Sequence, residues 1–183
     1  GVAVMGALAA RGLTAQDVVA IFLTHTHPDH IGAVPLFPKA SVYISKQEVE
    51  VAEGREPYGS PISNIVGKFN ATPFKVTHPL EDGEKVQLGD TTFTSYVLPG
   101  HTAGSTAYVV KGSLFLGDSI NFKKGGVMGG SWWIFSKDMA QAKASLRALA
   151  DRLEKENADV RTILSAHTGG ILGLEKLIAF TRN

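Results

Sequence analysis

Thr24-His25-Thr26-His27-Pro28-Asp29-His30 is the stretch on which the reading of this chain turns. It follows Val18 to Leu23, an apolar, β-rich run that reads as a buried strand. If extended chain continues through His25 and His27, a period of two sends both side chains to one side, where they could hold one metal ion. The chain then bends toward a short helix over His30 to Leu36, so Asp29 and His30 project differently and could hold a second ion. Neutral imidazole and carboxylate, at roughly 2.0–2.2 Å, are the ligands zinc takes where no thiolate is available. A lone histidine reads as a surface or core residue. Four ligand-type residues between His25 and His30, straight after a strand, read as a metal site.

Composition narrows the chemistry. The 183 residues contain no cysteine, which excludes disulfides, thiolate ligands and a cysteine nucleophile. Any tight metal site must use histidine and carboxylate. A hydrophobic fraction of 44% and a charged fraction of 19% fit one soluble globular domain over residues 1–183 with a real core. The net charge of +1, with 18 basic against 17 acidic residues, gives no argument for nucleic acid, and no basic run carries interleaved aromatics. No window is long and apolar enough to span a bilayer. Gly1 to Ala10 is apolar without a basic leader, and reads as a helix ended by Gly12 rather than a signal peptide. The compartment stays open.

The remaining chain alternates strands and helices. Val42 to Ile44, Phe74 to Thr77, Lys85 to Leu88, Thr91 to Val97 and Val160 to Leu164 read as strands, and Ser105 to Val110 with Ser113 to Leu116 as a hairpin across Lys111-Gly112. Gly54 to Pro61 and Gly125 to Gly130 read as flexible loops. Lys46 to Ala52 reads as a helical turn or two, and Leu174 to Phe180 as a closing helix. Lys137 to Glu156 is the clearest helix, with Met139, Ala142, Leu146, Leu149 and Leu153 on one face. The class is α+β or layered α/β.

Three later segments also carry ligand-type residues: Pro99-Gly100-His101-Thr102-Ala103-Gly104-Ser105, Leu116-Gly117-Asp118-Ser119 and Ser165-Ala166-His167-Thr168-Gly169. His101 could be a turn histidine, Asp118 a solvated turn aspartate and His167 a core histidine; the glycines around His101 suit close backbone approach to a site. Taken in order with His25-x-His27-x-Asp29-His30, the four segments resemble the motifs of the metallo-β-lactamase superfamily, from about Val18 to the chain's end.

The resemblance implies an αββα sandwich and a metal-dependent hydrolase with two zinc ions, or iron or manganese in their place. It implies His25, His27 and His101 on one metal, Asp29, His30 and His167 on the other, and Asp118 bridging them. A hydroxide between the metals would attack an ester, thioester, lactone or lactam, with Asp29 and Asp118 in catalytic roles. Asp118 resembles the bridging residue of the glyoxalase II and lactonase branches. Ser119, Lys123, Trp132 and Trp133 are the candidates for contacting a small-molecule substrate. The tryptophans and Phe135 read equally as a pocket wall and as core anchors; Lys123 and Lys124 could meet an anionic substrate group, though two lysines in a loop are more often solvated surface. Tyr58 is a weaker pocket candidate, and His78 reads as a surface residue. Thr24, Thr26, Thr102, Ser105, Ser119 and Thr168 stand beside ligands and could orient them.

The opening of the chain departs from the family. Only a helix and one strand precede His25, so the family's usual N-terminal strands are missing from this stretch and a sheet edge is expected to be exposed. A second copy, by swapping or dimer formation, is the expected cover. Two other activities compete: an iron-dependent oxidoreductase or dioxygenase on the same scaffold, and a metal-stabilised binding protein without turnover.

Overall fold

In a computed structural model, residues 1–58 and 72–182 are described. Of the loop expected at Gly54 to Pro61, residues 59–61 lie outside the described residues.

Two sheets lie back to back. The first holds β1 (Ala20–Phe22), β2 (Ser41–Ser45) and β3 (His78–Leu80), all parallel, with Ala20 opposite Ser41 and Tyr43 opposite His78. The second runs in the order β11 (Gly170–Leu172), β10 (Thr162–Leu164), β7 (Ser113–Phe115), β6 (Thr106–Val110), β5 (Thr91–Val97), β4 (Lys85–Leu88). It is antiparallel except where β7 and β10 run parallel. A hairpin of β8 (Ile120–Phe122) and β9 (Met128–Gly130) stands apart.

Alternation along each strand builds three apolar layers. Val42 and Ile44 of β2 point outward and pack with Ile31 of α2 (Pro28–Ile31) and Ala52 of α3 (Val49–Ala52). Tyr43, between them, points inward and joins Leu80 and Tyr108 in the space between the sheets. There Phe22 stacks on Phe93 with ring centroids 4.1 Å apart, and the Tyr108 hydroxyl donates to the Leu23 carbonyl at 2.6 Å. On the far side, Tyr96, Leu114 and Ile163 pack with Leu146, Leu149 and Leu153 of α4 (Met139–Lys155) and Leu177 of α5 (Leu174–Arg182). The result is an αββα sandwich.

Several expected elements shift. The strand foreseen at Phe74 to Thr77 forms instead at His78–Leu80; at Thr77 the backbone N–H still donates to the Val42 carbonyl at 3.1 Å, but the Val42 N–H turns to the Thr77 hydroxyl instead of a strand carbonyl. His78 is exposed but stacks on Tyr43. The buried strand expected at Val18 to Leu23 shortens to Ala20–Phe22 and is only half-buried, because β1 is a sheet edge. The helix expected from His30 begins at Pro28, where a missing N–H is harmless in the first helical position. The last three residues of the expected Gly125 to Gly130 loop are β9. Met139, assigned to the buried face of α4, is exposed, while Ala150 is buried.

Among the described residues β1 borders its sheet, and the helix α1 (Val2–Ala9), although wholly uncharged, has no buried residue. Beside β1, Val18, Val19, Phe22, Phe93, Val110 and Phe115 line an apolar groove of roughly 530 Å³. Among the described residues, no helix is long and apolar enough to cross a membrane.

Candidate metal centre

The ligand-type residues sit on loops that leave β1, β5, β7 and β10 at one rim of the sandwich. His25 and His27 lie on extended chain between β1 and α2, and His27 is the residue just before the helix. Asp29 and His30 fall in its single turn, so they approach the rim from the helix side. His101 sits between β5 and β6, Asp118 in a tight turn after β7, and His167 between β10 and β11.

They converge. His101 Nε2 lies 3.2 Å from His25 Nε2 and 3.0 Å from His27 Nδ1. His30 Nε2 lies 3.2 Å from His167 Nε2, which is 3.2 Å from Asp29 Oδ2. Asp118 stands between the two groups: Oδ2 is 3.6 Å from His101 Nε2, while Oδ1 is 3.4 Å from His30 Nε2 and 3.3 Å from His167 Nε2. His25, His27, His101 and Asp118 form one cluster of ligand atoms with the spacing a cation needs, and Asp29, His30 and His167 form another. The first is buried. The second is open, with Asp29 and His167 exposed.

The donor set fits a metal. Asp118 Oδ1 is buried and makes no hydrogen bond of normal geometry. Such an atom is rare unless an ion or water is its partner. The ring nitrogens of His25 and His27 face that of His101 within 3.2 Å, and in the tautomers that leave all three bare they offer a cation three ligand atoms. Burial holds the His25 imidazole well below its usual range, helped by the neighbouring histidines. His27 is lowered chiefly by burial. His101 is pushed down to about 4, again mainly by burial, with His27 next. Neutral imidazole is the metal-binding form. Burial pushes the Asp118 carboxyl up, but His30, His101 and His167 outweigh it and hold it below its ordinary value.

Close approach by backbone makes the cluster possible. Gly100 has φ +140, and a Cβ there would come within 2.2 Å of the Ala142 nitrogen in α4. At Gly104 a Cβ would meet Ser45 Oγ at 2.3 Å. His101 therefore rides on a loop clamped between α4 and the turn after β2.

Three functional residues carry no signal in the sequence. Glu48, almost wholly buried, accepts the Thr26 N–H on Oε2 at 3.0 Å, together with the Thr26 hydroxyl, and the Gly104 N–H on Oε1 at 2.8 Å. It braces the residue between His25 and His27 against the loop of His101. Ser131 and Ser136 hold the outer nitrogen of His101: Nδ1 is 2.9 Å from Ser131 Oγ and 3.0 Å from Ser136 Oγ. Of the six hydroxyl residues singled out earlier, Thr24 touches a ligand ring, at 3.1 Å from His25 Nδ1. Thr26 serves Glu48, Thr102 and Ser105 bond each other, and Thr168 pairs with Ser165.

Trp132 and Trp133 are exposed, 52% and 75%, so they are not core anchors. With Phe122, Lys123 and Thr168 they line a cavity of roughly 650 Å³, and Trp132 also borders the small recess between Asp118 and His167. Ser119 is buried and lines a different cavity, beside Met139 and Phe180. Tyr58 packs on the core beneath β2 rather than at the site.

The sequence profile of the metallo-β-lactamase superfamily matches residues 1–167. The chain belongs to the metallo-β-lactamase superfamily. Within it, the chain is 32% identical over 151 residues to a hydroxyacylglutathione hydrolase of Vibrio cholerae, covering 82% of this chain but 48% of that protein. It is 30% identical over 107 residues to the probable polyketide biosynthesis zinc-dependent hydrolase PksB of Bacillus subtilis, covering 57% of this chain and 40% of that one. Among solved structures it resembles TTHA1623 in a di-iron-bound form, with a TM-score of 0.66 and 26% identity, over 97% of this chain and 81% of that one. The chain thus spans about half the length of the Vibrio relative.

Proposed function

We propose that this metallo-β-lactamase-superfamily chain is a metal-dependent hydrolase with a two-metal centre, acting on an ester, thioester, lactone or lactam. The observation that carries the reading is Asp118, whose two oxygens face two separate ligand groups. His25, His27 and His101 would hold one ion, Asp29, His30 and His167 the other, and Asp118 both. Bound cations would activate water and polarise the scissile carbonyl. The exposed group of Asp29, His30 and His167 leaves the substrate an approach from solvent, while the buried group is shielded. Trp132 and Trp133 would stack the apolar part of the substrate, and Lys123 would meet an anionic group on it.

A thioester is the first substrate class to try, since the Vibrio relative is a hydroxyacylglutathione hydrolase. Zinc is the first metal, on the likeness to a zinc-dependent hydrolase, and iron the second, on the likeness to a di-iron-bound structure. The test is metal quantification on protein purified without chelator, then a panel of ester, thioester, lactone and lactam substrates. Asp29→Ala is expected to lower turnover by about 10²-fold or more with little change in melting temperature, because Asp29 is exposed. A variant that melts earlier, from a parent with no activity on any substrate, would instead make the metal a structural element.

A further inference from the structure

Both tryptophans of the chain lie in one loop, Ser131-Trp132-Trp133-Ile134-Phe135-Ser136. The two serines that open and close it meet on a single atom, Nδ1 of His101. Their hydroxyls are 2.7 Å apart, and Ser136 Oγ donates to the Trp132 carbonyl at 2.8 Å. One proton direction satisfies every partner. The His101 Nδ1–H donates to Ser131 Oγ, the Ser131 hydroxyl to Ser136 Oγ, and the Ser136 hydroxyl to the Trp132 carbonyl. That direction leaves Nε2 of His101 bare and aimed at His25 and His27, the form a metal ligand must take. The main chain repeats the link: the Lys137 N–H donates to the His101 carbonyl at 3.0 Å, and the Asp138 N–H to the Gly100 carbonyl at 2.8 Å. A half-buried latch on a candidate ligand thus carries an exposed aromatic pair.

We propose that Ser131 and Ser136 are positioning residues that select the metal-binding tautomer of His101 and couple the Trp132–Trp133 platform to the state of the metal site. The inference rests on the reading of His101 as a metal ligand. With the opposite tautomer Nδ1 becomes an acceptor and the relay has one hydrogen fewer: if Ser131 donates to Nδ1 the Ser131–Ser136 contact has no proton, and if Ser136 donates to it the Trp132 carbonyl loses its partner, so the latch holds the loop less firmly either way. Metal binding at Nε2 therefore favours the anchored loop. By linkage, a molecule that stacks on the tryptophans and holds the loop in place strengthens metal binding by the same factor.

The test uses metal-free protein titrated with zinc, reading bound zinc by equilibrium dialysis and loop state by tryptophan emission. W132F leaves Trp133, which does not border the recess at Asp118, as the one reporter. Its emission is expected to shift in step with zinc uptake. On that background, S131A with S136A should weaken zinc binding by about 10–100-fold and abolish the shift even at saturating zinc; S136A alone should do so in part, and S136T should restore both. A Trp133 shift that survives saturation in the double variant, or unchanged zinc affinity, overturns the coupling. Zinc uptake with a silent Trp133 in the W132F parent overturns the coupling while leaving the metal site standing. No zinc uptake by the unsubstituted chain removes the metal site and the coupling together.

Discussion

Glu48 shows how much of this site rests on single atoms. Its carboxylate is buried, yet backbone N–H groups from Thr26 and Gly104 and the Thr26 hydroxyl all donate to it, so the charge is compensated. Glu48→Gln keeps the volume but turns an amide NH₂ toward one of those N–H groups. The expected loss is about 1–3 kcal/mol of stability, read by chemical denaturation of the metal-free protein, and a weaker zinc complex, because the His25–His27 segment loses its tie to the His101 loop. The histidines give a second result at this scale. His101 titrates at about 4 in the folded protein and near 6.5 when unfolded. Between those values the unfolded chain takes up a proton that the folded chain refuses. Stability of the metal-free protein is therefore full above pH 6.5 and declines as the pH falls toward 4, by about 3 kcal/mol from His101; His25 acts in the same direction. Melting temperatures across that window check it; a flat profile would mean that the rings are not packed as described.

At the scale of elements, α4 and the His101 loop form one unit. α4 is capped by Asp138, whose side chain accepts the Gln141 N–H at 2.9 Å, and Gly100 lies against the helix's first turn. Gly100→Ala would place a methyl group on the Ala142 backbone in a conformation that disfavours side chains. It is expected to destabilise the protein by about 3 kcal/mol or more and to weaken zinc binding together with stability, measured by thermal melts with and without zinc. Asp138→Ala should cost about 1 kcal/mol. This scale also separates what could be read in advance from what could not. His25 to His30 were legible because their grouping is local, and α4 because its apolar spacing persists for several turns. Glu48 was not, since its partners lie 22 and 56 residues away and a glutamate in a short helical segment looks like surface. Ser131 and Ser136 carry no signal, since nothing local ties them to a histidine 30 and 35 positions earlier. β11 is three residues of Gly170-Ile171-Leu172, too short for alternation to register.

At the scale of the molecule, three strands face six among the described residues, with β1 at the border of the smaller sheet. The groove beside β1 is walled by apolar side chains. The expectation that a second copy covers this edge predicts the mass of a pair in light scattering after size-exclusion chromatography, at every dilution tested; a stable monomer counts against it. The same edge has a practical consequence. Where β1 is left unpaired, a strand rim next to oily walls is a template on which other chains can pile up, strand after strand, when stocks are concentrated or warmed. Charge is the usual guard at such rims, and Val19, at 70% exposure, sits where a guard would stand. Val19→Lys should raise the concentration at which solutions turn cloudy, with zinc uptake unaltered.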